Sequence, residues 1–172
     1  MPQIIEIKAA SNRHDEIRNF LQQAGADFRG TDHQRDTYFL VPKGRLKLRQ
    51  GNIERNLIHY HRPNQEGPKL SEVSLYAATN DDSLHSVLTA ALDTLVVVDK
   101  QREIYFIDNV KFHLDTVVNL GTFVEIEAID RDGSIGHEQL LAQCEHYIAC
   151  FGILASDLFA CSYSDLLLQQ HE

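Results

Sequence analysis

The 172 residues carry a formal net charge of −9, and 43% of them are hydrophobic. That length fits one domain able to bury most of its apolar surface, and the acidic balance excludes the basic excess of a general nucleic-acid binder. No apolar run reaches membrane-spanning length and no signal-peptide pattern opens the chain, so residues 1–172 read as one cytoplasmic domain with neither a nucleic-acid nor a membrane partner.

In chain order, residues 3–9 form a β-branched run with Glu6 and Lys8 on one parity, a strand with a charged face. Ser11 or Asn12 then offers an N-cap, Ile17, Phe20, Leu21 and Ala24 recur at helical spacing, and Gly25 supplies a stop. Residues 28–41 are strand-like up to Pro42. Arg45, Lys47 and Arg49 alternate with leucines, and Gln50-Gly51-Asn52 closes a hairpin. The return strand, residues 55–62, places His59 and His61 on one parity and Ile58, Tyr60 and Arg62 on the other. After a loop over residues 64–68, residues 69–76 resume the alternation, with Lys69 and Ser71 on the polar side.

Asp81-Asp82-Ser83 opens a second helix whose stripe of Leu84, Val87, Leu88, Ala91 and Leu92 reads as core. Residues 95–98 follow, and residues 99–106 then form a strand in which Lys100 and Arg102 share a parity. The densest pattern lies in residues 111–127. Two strands joined at Asn119-Leu120-Gly121 carry Lys111, His113 and Asp115 on one parity of the first, and Glu125 and Glu127 on one parity of the second. Val124, Ile126 and Ala128 keep the apolar face intact, so the carboxylates are additional to it; two carboxylates two residues apart can hold a hard divalent cation. Leu140, Leu141, Cys144, Tyr147, Ile148 and Phe151 form a third helical stripe, and residues 162–168 form a short capping helix. Cys144, Cys150 and Cys161 are odd in number, lack metal-type spacing and sit in apolar patterns, which predicts reduced, buried thiols.

About eight strands with short turns favour antiparallel pairing, and a sheet of that size can close on itself. Its interior would then be lined by charge, which a dry core cannot hold unpaired. Cations from several strands facing carboxylates from others point to a polyphosphate held by Lys and Arg, with a metal bridging its oxygens to Glu. A solvated outer face is the competing reading of any one such strand. Repetition weakens it, because a solvated sheet mixes signs to limit repulsion whereas several strands here pair charges of one sign. For His59, His61 and His113 a surface or hydrogen-bonded role outweighs metal ligation.

These motifs carry a family resemblance. Glu6-Ile7-Lys8, Lys47-Leu48-Arg49, Lys100-Gln101-Arg102, His113-Leu114-Asp115 and Phe123-Val124-Glu125-Ile126-Glu127 resemble, in order and over nearly the whole chain, the CYTH family or triphosphate tunnel metalloenzymes. Asp36-Thr37-Tyr38-Phe39, Pro68-Lys69-Leu70-Ser71 and the closing Ser-Tyr-Ser-Asp-Leu-Leu are similar to its bacterial class IV adenylyl cyclase-like branch. The resemblance implies an α+β fold: a closed eight-stranded antiparallel β-barrel with flanking helices, whose tunnel binds a triphosphate with Mg²⁺ or Mn²⁺. By position it implies phosphate contacts from Lys8, Lys47, Arg49, Lys69, Lys100, Arg102 and Lys111, metal contacts from Glu6, Glu125 and Glu127, and catalytic roles for Glu6, Lys8 and Asp115.

Two departures bear on the reaction. Where the family signature is Glu-x-Glu-x-Lys, this chain has Ile4-Ile5-Glu6-Ile7-Lys8, and where many relatives have a basic residue in the fourth strand it has His61. The resemblance therefore implies three activities in order: an adenylyl cyclase of class IV type forming cyclic AMP and pyrophosphate; a triphosphatase acting on tripolyphosphate, thiamine triphosphate or a nucleotide; and a triphosphate binder impaired by Ile4. It leaves room for a homodimer.

Overall fold

The computed structural model describes residues 2–61 and 65–170. Arg62 and Asn64, which the sequence reading places in the fourth strand and the following loop, lie outside the described residues. The elements run β1 (Gln3–Ala10), α1 (His14–Gln23), β2 (Asp27–Phe39), β3 (Arg45–Gln50), β4 (Arg55–His61), β5 (Lys69–Ala77), α2 (Ser83–Ala91), β6 (Thr94–Ile107), β7 (Val110–Val117), β8 (Gly121–Asp130), α3 (His137–Cys150), a 3₁₀ turn (Ala155–Asp157) and α4 (Tyr163–Gln170). The eight strands close into an α+β barrel in the order β1-β5-β4-β3-β2-β6-β7-β8, every neighbouring pair antiparallel.

Strand alternation makes two environments from each strand. On β1, β7 and β8 one parity (Ile5, Ile7, Phe112, Leu114, Val124 and Ile126) faces outward into the main core, which Ile17 and Leu21 of α1 and Leu140, Cys144 and Phe151 around α3 complete. The other parity faces the barrel interior. The β7–β8 turn uses Asn119 at φ 68° and Gly121 at φ 107°, the left-handed region in which Asn and Gly are the favoured residues.

The structure corrects several expectations. Residues 95–98 and 99–106 belong to one strand, because β6 stays paired with β2 through Val96, Val97 and Val98 and on to Phe106. The apolar stripe of α2 is not core: the helix has no buried residue and Val87 is 62% exposed. Of the three thiols only Cys144 is buried, its Sγ donating to the Ile5 carbonyl at 3.3 Å; Cys150 is exposed and Cys161 half-buried, and all three are free.

Candidate active site

The inward parities meet in one cavity that opens to solvent. The cavity has two unlike sides. Glu6 and Lys8 of β1, Lys100 and Arg102 of β6, Lys111 and His113 of β7 and Glu125 and Glu127 of β8 make a charged side, continued by Asp36 of β2 and Lys47 and Arg49 of β3. Ile58 and Tyr60 of β4, Val73 and Leu75 of β5, and Ile4 make a largely apolar side, with Asn56 and Ser71 among them.

Barrel register sets opposite charges next to each other. Asp36 and Arg49 are cross-strand partners, as are Arg102 and Asp115. Arg49 donates two hydrogen bonds to Asp36 at 2.9 and 2.8 Å, Lys100 donates to the same carboxylate at 2.8 Å, and Lys47 lies 3.4 Å away. Asp36 is fully buried, and although burial alone would raise its pKa, Arg49, Lys100 and Lys47 hold it well below the usual carboxylate range. Burial lowers the Lys100 ammonium to about 7; Asp36 opposes that, while Arg49, Arg102 and Lys47 add to it. Arg102 grips Asp115 with two bonds at 2.7 and 2.6 Å and reaches Glu125 at 3.0 Å. Lys8 sits 3.4 Å from Glu125. Each of these interior cations therefore has a carboxylate partner, which is the condition under which burial of so much charge is tolerable.

Two segments close the network from opposite ends. The β3–β4 turn brings Glu54 over Lys111, at 2.6 Å, and Arg49, at 3.6 Å. That turn is fixed by buried Asp32, which accepts from the Ile53 and Glu54 backbone amides at 2.9 Å each. Gly51 is required there, since a Cβ would meet the Asp32 carboxylate oxygens at 2.6 Å. At the other end Tyr163, the first residue of α4, donates its hydroxyl to Asp115 at 2.7 Å and lays its ring 3.9 Å from the Lys8 ammonium.

Most residues read from the sequence as site residues converge: Glu6, Lys8, Lys47, Arg49, Lys100, Arg102, Lys111, Glu125 and Glu127 all line the cavity. Lys69 does not, as its ammonium donates to the Ala160 carbonyl at 2.7 Å. Asp115 lies behind Arg102, with 0% exposure and both oxygens engaged, so it holds that guanidinium and does not line the cavity. His61 is exposed and outward, while Tyr60 takes the inward place; the fourth-strand departure read from His61 therefore does not touch the tunnel. Asp36, Glu54, Tyr38, Tyr60 and Tyr163 were not read as site residues. The parity of Asp36 with Tyr38 on β2 was the available signal; nothing local distinguishes Glu54 or Tyr163, which arrive from a turn and from the C-terminal tail.

Among the described residues one group of His, Cys, Asp and Glu ligand atoms converges within 4.8 Å, and it comprises His113, Glu125 and Glu127. His113 is 1% exposed, its Nδ1 is 2.9 Å from Glu125, and its Nε2 is buried without a hydrogen-bond partner. Burial foremost, then Arg102, lowers its pKa, against the pull of Glu127 and Glu125. Two carboxylates and the imidazole nitrogen facing them fit a divalent cation. Glu6 lines the same cavity, opposite Glu127 in the β1–β8 ladder, but stands outside that group.

Comparison with known proteins agrees with this architecture. The CYTH domain family model matches residues 3–144. No curated protein matches the chain. Among solved structures, PH1012 from Pyrococcus horikoshii OT3 superposes with TM-score 0.76 at 24% identity, covering 95% of this chain and 98% of that one. A Vibrio parahaemolyticus protein provisionally assigned as an adenylate cyclase gives 0.74 at 21% identity, over 95% and 97%. HpAC1 from Hippeastrum, an adenylyl cyclase candidate described as having a dominant triphosphatase activity, gives 0.68 at 14% identity, over 100% and 97%. At these identities the three structures share the fold with this chain.

Proposed function

The chain belongs to the CYTH domain family, and from that premise we propose that it is a divalent-metal-dependent enzyme acting on an organic triphosphate, in the manner of a class IV adenylyl cyclase. The observation that carries the reading is the two-sided cavity. The cations Lys8, Lys47, Arg49, Lys100, Arg102 and Lys111 suit a phosphate chain, and the apolar side of Ile4, Ile58, Tyr60, Val73 and Leu75 suits a base or other organic group. Inorganic tripolyphosphate has nothing to place against that side.

In this reading Arg102, fixed by its two bonds to Asp115, presents its guanidinium to the phosphates in one orientation. Lys47, Arg49 and Lys100 share Asp36, so an arriving phosphate takes up cationic charge that one carboxylate only partly offsets. Glu125 and Glu127, with Glu6 on the adjacent strand, would hold Mg²⁺ or Mn²⁺, and such an ion would supply positive charge beside the phosphate oxygens and acidify the attacking hydroxyl. The 3′-hydroxyl oxygen of ATP bonds to the α-phosphorus, the bond from that phosphorus to the bridging oxygen breaks, and pyrophosphate leaves along the cations. The hydroxyl proton passes to a cavity carboxylate, for which Glu6 is the nominee, or to solvent.

A triphosphatase is the second reading, supported by the activity described for the Hippeastrum neighbour. There the attacking oxygen belongs to water and the terminal phosphorus is attacked. ³¹P NMR of the protein with ATP, and separately with tripolyphosphate, each with Mn²⁺ or Mg²⁺, tests both. Pyrophosphate and cyclic AMP from ATP are the expected products; orthophosphate favours the triphosphatase; shifted ligand resonances without turnover leave a binder, with Ile4 in place of the first signature glutamate as its cause. Unshifted resonances sink the proposal.

A further inference from the structure

The donor set in the cavity differs from an all-carboxylate one. His113 projects inward from β7 with Nδ1 2.9 Å from Glu125 Oε2 and 3.8 Å from Glu127 Oε1. Donor atoms around an ion with bonds of about 2.1 Å lie about 3.0 Å apart when cis and about 4.2 Å apart when trans, so the first separation matches a cis pair and the second lies between the two. The ring makes one hydrogen bond with its two nitrogens; Nε2 is buried and unpartnered among the described residues. Ile4, two residues before Glu6 and on the same inward parity, offers no donor at all.

We infer that His113 is a metal ligand, completing with Glu125 and Glu127 a mixed nitrogen and oxygen site that takes Mn²⁺ in preference to Mg²⁺. The inference rests on the proposed role of Glu125 and Glu127 as metal donors. Imidazole suits the later first-row divalent ions, whereas Mg²⁺ is held by oxygen donors and dehydrates reluctantly. The consequence is a metal preference set by a residue on the strand that also carries Lys111, so that metal and phosphate are positioned by one β-strand.

The test is electron spin-echo spectroscopy of Mn²⁺ on the full chain, first alone and then with tripolyphosphate, on unlabelled protein and on protein grown with ¹⁵N-histidine. A ¹⁴N modulation that is replaced by the ¹⁵N pattern is the expected result. Bound Mn²⁺ with no histidine modulation, or no Mn²⁺ uptake under either condition, overturns the inference. His113→Leu, checked for folding by circular dichroism, should weaken Mn²⁺ by about tenfold or more and Mg²⁺ by less than about threefold; equal losses for both ions also overturn it. The labelled wild-type protein answers the question even where that variant does not fold. Failure of the triphosphate reading is separable: histidine-coupled Mn²⁺ with unshifted ³¹P resonances from ATP and tripolyphosphate would leave the ligand assignment standing and remove the proposed substrate class.

Discussion

The two sides of the barrel invert each other. On β7 and β8 the outward parity is apolar and buried under helices, as with Phe112 and Ile126, and the inward parity is charged, as with Lys111 and Glu125. On β4 and β5 the inward parity puts Ile58, Tyr60, Val73 and Leu75 beside Asn56 and Ser71, and the outward parity is exposed, with His59, His61 and Glu72 alongside Leu70 and Tyr76. The difference teaches where binding capacity resides. A strand covered by a helix can turn its charged face inward because its apolar face already has a partner; β4 and β5, whose outer faces are exposed, bring most of the apolar lining to the tunnel.

The comparison breaks most severely at the shared carboxylate of the charged side. Asp36→Asn leaves Arg49, Lys100 and Lys47 without their common anion in a buried place and should cost about 3–5 kcal/mol of stability, read by urea denaturation; a loss below about 1 kcal/mol would mean that the cations are solvated or otherwise compensated. Less costly to the fold is Lys47→Ala, since Asp36 keeps Arg49 and Lys100. It should weaken tripolyphosphate by about 1.5–3 kcal/mol in titration calorimetry, the range for a hydrogen bond to a charged group, and unchanged affinity would put the phosphates elsewhere.

The charged side also carries a pH signature. Lys100 is lowered to about 7 in the free protein, and a bound polyanion favours its protonated form. Affinity should therefore fall as pH rises above about 7, by at most tenfold per pH unit, with net proton uptake on binding. Lys100→Arg, which does not titrate in this range, cancels the ligand's own ionisation; parallel pH profiles for the two proteins would remove Lys100 from the site. For stability the sign is the reverse. A lysine whose folded pKa is depressed favours the unfolded, protonated state between the two pKa values, so stability rises with pH from about 7 toward the ordinary lysine value. The smallest effect belongs to the outer face of β4: His61→Ala should alter stability by less than about 0.5 kcal/mol and leave triphosphate binding untouched. A binding loss would return the histidine to the tunnel.

Alternation in the sequence determined much of this protein. Glu6 with Lys8, Lys47 with Arg49, Lys100 with Arg102 and Glu125 with Glu127 share inward parities because strand geometry sends every second side chain to one face, and the apolar complement on β1, β7 and β8 specified which face a helix covers. Short turns between strands specified antiparallel neighbours. Alternation could not say how far along the barrel each side chain reaches or what it meets there. Register placed Asp36 against Arg49 and Asp115 behind Arg102, a turn braced by Asp32 brought Glu54 over Lys111, and the tail carried Tyr163 to Asp115 and Lys8. The same limit explains α2, whose helical stripe is real in the sequence yet unburied, since periodicity describes a face and not the presence of a partner for it. Those pairings join residues 13 to 155 positions apart: the register of consecutive strands sets the nearest, and the farthest are decided by closure of the barrel and docking of the tail, which no local pattern encodes.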